Sequence, residues 1–309
     1  MAAATNLTTM ARATAITYDS HFEANWTAFP KEYTMWNTMM GKDTIVGCYD
    51  TTGNLKKAVE LDDGASFPFE AYTQAFQTTI TSKAYAAGLE ITWKLMKEAK
   101  NISNIIDKMK AYGVAASLLQ TLEEVGIKPW DDAFTVNLSN GVPACSGSIP
   151  CSDTTGETIV TYSNLATGAL SYANIKAGLK LFPKAKNAQG YPVPTKPNKI
   201  KTHALNQMDI QEIFNSATFP STTTDTSQKN VLPRLEPVFS NYITSTTAWF
   251  LEDDRPDRPH GICQYLNSCP SPESKMEEFE KTRSYGLSSG FFMGADILPN
   301  IGLVGSTGL

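Results

Sequence analysis

Apolar residues between Phe69 and Thr81 fall on alternate positions, with Tyr72, Phe76 and Ile80 on one side and Thr73, Gln77, Thr79 and Thr81 on the other. This period of two predicts a half-buried strand. Beyond Lys83 the alternation resumes on the opposite parity at Tyr85, Ala87, Leu89 and Ile91, so a bulge, bend or change of partner is expected near Ser82 to Ala84. After Asn101 the steps lengthen to three and four residues: Ile102, Ile105, Ile106, Met109, Tyr112, Ala116, Leu119 and Leu122 form one stripe of a long helix. Asn101 or Ser103 would cap its start, and Gly126 followed by Pro129 would end it.

The flanking segments are placed relative to this strand and helix. Residues up to about Tyr33 show no sustained period and read as an extended arm whose rings, Tyr18, Phe22, Trp26 and Phe29, dock on the body or on another subunit. Thr44 to Tyr49 is strand-like. The polar, glycine-bearing runs Thr51 to Lys57 and Glu60 to Ser66 suit a hairpin-like excursion with the Phe69 strand as its return leg. Pro129-Trp130-Asp131-Asp132 reads as a turn, and a composition shift suggests a boundary near Phe134. Further on, helices are predicted over Ser171 to Lys186 and Gln207 to Ser216, and strands over Lys199 to Leu205, Ile262 to Leu266 and Thr282 to Met293. A glycine-rich tail, Gly302 to Gly308, closes the chain.

Composition narrows the function. The 309 residues suffice for one elaborated domain or two joined ones. A net charge of −5 argues against wholesale wrapping of nucleic acid, so any such contact is local. The N-terminus lacks the apolar core of a signal peptide and no stretch is apolar enough to span a bilayer, which points to a soluble protein made in a cytoplasm.

Candidate chemistry is sparse. His21, His203 and His260 stand alone, and neither a phosphate-binding Gly-Lys-Ser/Thr loop nor a Gly-x-Ser-x-Gly elbow is present. Cys145/Cys151 and Cys263/Cys269 share one spacing, wider than that of a usual zinc ribbon, while Cys48 is assigned to the core of a strand. Asp253, Asp254 and Asp257 lack a calcium-loop spacing and read as a solvated turn balanced by Arg255 and Arg258. No catalytic, cofactor or metal residues are assigned.

The order of elements resembles the major capsid proteins of tailed bacteriophages, with the α+β Hong Kong 97-type fold. The resemblance rests on the excursion at about Gly53 to Ser66, its return strand Thr79-Ile80-Thr81-Ser82-Lys83-Ala84-Tyr85 continuing to Thr92, and the long helix. It rests also on Leu170 to Leu181, Pro197-Asn198-Lys199-Ile200, Glu212-Ile213-Phe214, Asn230-Val231-Leu232, Ala248-Trp249-Phe250-Leu251 and Gly305-Ser306-Thr307-Gly308. Asn137 to Thr161 departs from the pattern and reads as an insertion.

The resemblance implies an N-terminal arm (1–33), an extended loop and peripheral domain with the spine helix (34–133), a mainly axial domain (134–251) and a return to the peripheral domain with C-terminal strands (252–309). It implies a non-enzymatic virion protein that self-assembles as hexamers and pentamers into an icosahedral head around double-stranded DNA, built in the host cytoplasm. Partners would be a separate scaffold, a portal and decoration proteins. Gly53, Leu55, Lys56, Lys57, Leu61, Gly64, Phe67 and Phe69 would lie at the inter-subunit loop, and Lys94, Lys97, Lys100, Lys108 and Lys110 on the inner face near DNA. Lys56 and Lys57 lack an alignable asparagine partner, so no cross-link is expected. The alternatives are an encapsulin-like nanocompartment, a zinc-stabilised binding module or a soluble enzyme.

Overall fold

The computed structural model describes residues 18–51, 76–92, 112–151, 161–187, 190–216, 229–279 and 284–309, with positions 58, 60, 61, 66, 67, 69 and 94. In chain order the strands are β1 (Thr38–Lys42), β2 (Val46–Asp50), β3 (Gln77–Thr81), β4 (Lys83–Thr92), β5 (Ile149–Pro150), β6 (Thr161–Tyr162), β7 (Leu165–Ala166), β8 (Lys199–His203), β9 (Glu236–Ser240), β10 (Trp249–Glu252), β11 (Gly261–Leu266), β12 (Glu273–Phe279), β13 (Ser284–Ile297) and β14 (Leu303–Ser306). Helices occupy 18–28, Tyr33–Trp36, Tyr112–Asp131, Tyr172–Leu179 and Gln207–Asn215.

The first sheet is built on β13, which pairs antiparallel with β4 from Ser284↔Thr92 to Met293↔Lys83. Its other edge takes β12 and then β11, with β1 parallel beyond β11. The long helix Tyr112–Asp131 packs on this sheet through Val114, Ala115, Leu118, Leu119, Leu122, Ile127 and Trp130. The second sheet runs β7-β14-β10-β8-β9. Its central strand β10 is buried throughout. Alternation sends Phe250 into the core shared with the long helix, and Trp249 and Leu251 into a second core with Ile175, Ile210 and Ile213 of the two shorter helices. A sheet covered on both faces has no need of polar alternation, which is why Ala248-Trp249-Phe250-Leu251 is continuously apolar.

The predicted break at Ser82 is a change of partner: β3 pairs with β2, whereas β4 pairs with β13. Helix Gln207–Asn215 and strand β8 stand within two residues of expectation.

Several expectations are corrected. Residues 18–28 are helical rather than extended, although Tyr18, Phe22 and Trp26, at helical spacing, do dock on the chain's own body, one of the two expected places. The long helix continues through Gly126 and Pro129 to Asp131, so Pro129 to Asp132 is no turn. Gly126 serves packing instead, because a Cβ there would sit 2.6 Å from Tyr33 Cβ. Of the expected stripe, Leu119 and Leu122 are buried and Ala116 is half-buried, while Tyr112 is exposed; the proposed start, 101–111, lies outside the described residues. The second helix ends at Leu179 and is followed by a separate 3-10 turn, Phe182–Lys184. Cys48 is exposed, since Gly47 and Tyr49 occupy the inward parity of β2. β12 was unforeseen because its sequence, ESKMEEF, is polar at almost every position. The glycine-rich tail holds β14, buried in the second sheet rather than returning to the first.

Candidate inter-subunit surface and its buried anchor

The excursion leaves the body where β2 and β3 pair from Val46↔Thr81 to Asp50↔Gln77. Thr51 closes the pairing, its N–H and Oγ1 donating to the Phe76 carbonyl at 2.9 and 3.0 Å. The ribbon is rooted by a small core of Tyr49, Ile80, Ile262 and Leu298. Tyr49 Oη donates to Gln264 Oε1 at 3.0 Å, and Gln264 Nε2 donates to Ser82 Oγ and the Ile45 carbonyl at 2.9 Å each. This ties the base to β11.

Beyond the root, apolar side chains face outward. Leu61, Phe67 and Phe69 are 39%, 73% and 96% exposed. Two nearly bare phenylalanines on one segment are an unfavourable surface for an isolated chain. Gly53, Leu55, Lys56, Lys57 and Gly64 lie outside the described residues. Of the lysines expected near nucleic acid, Lys94 is exposed, and Lys97, Lys100, Lys108 and Lys110 lie outside the described residues.

The body behind the excursion is fixed by a junction that sequence reasoning missed. Trp36, Trp130 and Phe250 pack edge-to-face with centroids 5.3–6.3 Å apart. Asn37 stitches them: its Oδ1 accepts from Trp130 Nε1 at 2.9 Å and its Nδ2 donates to the Gly126 carbonyl at 2.8 Å. Gly261 must be glycine beside it, because a Cβ would lie 2.2 Å from Asn37 Oδ1.

Into this aromatic cluster β8 projects Lys201, whose Nζ lies 4.1 Å from the Trp130 ring centroid and donates to the Trp36 carbonyl at 2.7 Å. Lys201 is ion-paired with Glu252 of β10, and Glu252 Oε1 meets His260 Nδ1 at 3.1 Å. Burial raises the proton affinity of Glu252, but the Lys201 charge and the His260 contact outweigh it and hold the carboxyl down at about 2. A signal existed in the sequence for one partner: Glu252 directly follows the apolar run Ala248-Trp249-Phe250-Leu251, a charge on a strand that is buried throughout.

A second acid links the long helix to the N-terminal segment. Glu123 accepts from the Glu32 and Tyr33 N–H groups at 2.7 Å each. Burial pushes its carboxyl up to about 7, against the two N–H donors that favour the charge. Glu32 in turn accepts from Ser240 Oγ and Asn241 N at 2.9 and 2.8 Å, reaching the second sheet.

The loop from Glu252 to His260 is neutralised within the chain. Asp253, Asp254 and Asp257 pair with Arg255, Lys199 and Arg258 at 3.2, 2.5 and 3.7 Å. Asp253 is buried, so the turn is less solvated than expected. All five cysteines are free thiols: Cys145, Cys263 and Cys269 are buried, and burial raises the half-buried Cys151 to about 11. Among the described residues no group of three or more His, Cys, Asp or Glu is placed to hold a metal ion, and no helix is long and apolar enough to cross a membrane.

No family model and no curated sequence matches the chain. Solved structures do. The capsid of a native GTA particle superposes with a TM-score of 0.54 at 6% identity over 89% of each chain. The procapsid of bacteriophage JBD30 gives 0.50 at 12% identity, over 99% of this chain and 75% of the other. The holo-SrpI encapsulin complex from Synechococcus elongatus PCC 7942 gives 0.50 at 9% identity, over 91% and 88%. The chain has the fold of these shell proteins, a mixed helix and strand fold found in phage capsids.

Proposed function

We propose that this chain is the major capsid protein of a tailed phage, assembling as hexamers and pentamers into an icosahedral head that encloses double-stranded DNA. The observation that carries the reading is the capsid fold over nearly the whole chain, joined to a rooted excursion whose Phe67 and Phe69 are bare in the single chain. A shell subunit requires several contacts with its neighbours, and a projecting loop adds contact area that a compact body lacks.

In this reading the first sheet and long helix form the peripheral domain and spine, and the second sheet with its two helices forms the axial domain. Phe67, Phe69, Leu61 and Leu55 seat on the adjacent subunit, and Gly53 and Gly64 let the loop adapt to both ring sizes. Lys94, Lys97, Lys100, Lys108 and Lys110 reduce repulsion from packaged DNA on the inner face. The role is structural, requires no cofactor, and is exercised in the virion after assembly in the host cytoplasm with scaffold and portal.

An encapsulin-like compartment is the second reading, favoured by the superposition on an encapsulin at a TM-score equal to that of the JBD30 procapsid. Electron microscopy and sedimentation of the full chain, expressed alone and with a scaffold, test both. Closed shells, or rings of six and five, are expected. Shells that hold protein cargo and exclude nucleic acid would select the compartment, and a persistent monomer in both preparations would remove the shell reading.

A further inference from the structure

Charge is unevenly distributed along this chain. Its net charge is −5, yet no Asp or Glu occurs between Glu157 and Asp209, a stretch that holds seven lysines. Two of them, Lys199 and Lys201, are neutralised by Asp254 and Glu252. The other five, Lys176, Lys180, Lys184, Lys186 and Lys196, are exposed, and among the described residues none is in an ion pair.

The fold gathers these lysines. Lys176, Lys180 and Lys184 stand four residues apart along helix Tyr172–Leu179 and the separate 3-10 turn that follows it, with αR backbone at Lys180 and Leu181 joining the two. Ile175, Gly178 and Phe182 are buried on the opposite side, and Tyr172 is buried at the start of the lysine row itself. Four residues of α-helix rise about 6 Å, which sets the backbone spacing from Lys176 to Lys180 along the axis. The following segment folds back: Val193 N donates to the Ala185 carbonyl at 3.0 Å, and Thr195 Oγ1 to the Phe182 carbonyl at 3.0 Å. Lys186 and Lys196 are thereby brought beside the stripe.

We propose that this lysine face binds the phosphate backbone of nucleic acid without sequence preference, as a second holding surface distinct from the lysines before the long helix. Successive phosphates of one strand advance about 3.4 Å along the duplex axis, so a row of long lysine side chains reaches several of them at once. The cations are all lysines, point charges suited to sequence-independent phosphate contact. The inference rests on the capsid reading for its purpose, while phosphate binding itself is independent of assembly.

The test uses the unassembled full chain and a short fluorescent duplex of random sequence, titrated by anisotropy from about 50 to about 200 mM salt. Each phosphate contact adds about 0.9 to the slope of log K against log salt, so K176Q/K180Q/K184Q is expected to flatten that slope by about 2 to 3. The charge-matched control K83Q/K128Q/K275Q is expected to leave it unchanged, with both variants melting as the parent does. A slope unaltered in the stripe variant, or flattened equally in the control, overturns the proposal. So does a stripe variant that binds duplex normally but no longer assembles, which would assign the face to a neighbouring copy. Loss of assembly in the parent chain would bear on the shell reading alone.

Discussion

Trp130 and Phe69 are both large aromatic residues, yet the first is fully buried and the second 96% exposed. Around Trp130 every neighbour is supplied by the same chain: Trp36, Phe250, Asn37 and the Lys201–Glu252 pair. Around Phe69 the chain supplies no such enclosure. Burial of an aromatic side chain is worth a few kcal/mol, so the junction stabilises the subunit, whereas the equivalent gain at Phe67 and Phe69 is deferred until something covers them. The contrast separates a residue enclosed by its own chain from one that is bare in the single chain, a distinction that residue type alone does not make.

The comparison breaks first at the junction. Lys201→Ala is expected to cost about 3–5 kcal/mol, because it leaves Glu252 charged and buried without its partner; chemical denaturation of the subunit reads this directly. Trp130→Ala should cost a similar amount, about 3–5 kcal/mol, through the cavity it opens. If either variant unfolded at the parental midpoint, the junction would not be what holds the two sheets together.

Acidity probes the same junction with opposite signs. Glu252 has a folded value of about 2 against an ordinary 4.5, so its contribution is present above 4.5 and is lost as pH falls from 4.5 toward 2. Glu123 has a folded value of about 7, so the folded state binds the extra proton between 4.5 and 7 and its contribution declines as pH rises through that window. Stability against pH should therefore fall from 4.5 to 7 in the parent relative to Glu123→Gln, and collapse below 4.5 in both.

At the excursion the expected effect on the subunit is small. Phe67→Ser with Phe69→Ser should shift subunit stability by no more than about 0.5 kcal/mol, as surface changes do, while shells fail to form in sedimentation. Smallest of all, Cys48→Ser should change neither stability nor shape, and Cys48 should react with a maleimide in the native subunit while Cys145 and Cys263 react only on unfolding.

Much of this architecture was legible in the pattern of residues. The parity change at Ser82 marked a real exchange of strand partners, and Lys199 and Gln207 opened a strand and a helix as their periods indicated. What escaped notice was set by tertiary contact. Gly126 resembled a helix end because its role, clearing Tyr33, is long-range. The helix at 18–28 was missed although Tyr18, Phe22 and Trp26 stand four apart, because only three aromatic positions carry the period. β12 depends on pairing with β13 rather than on its own polar sequence. At the candidate site, Phe67 and Phe69 are exposed in the single chain, whereas Lys201 is far from Glu252 in sequence and meets it only when β8 pairs with β10.

The central claim, that the excursion between β2 and β3 belongs to the contact between copies, is tested most directly by isotope-mixed cross-linking. Shells assembled from equal amounts of light and heavy-nitrogen chains would be treated with an amine-reactive cross-linker, and links from Lys56 and Lys57 analysed by mass. The account predicts light–heavy pairs joining the loop to the body of another subunit. Links confined to single chains, in shells that are otherwise closed, would contradict it.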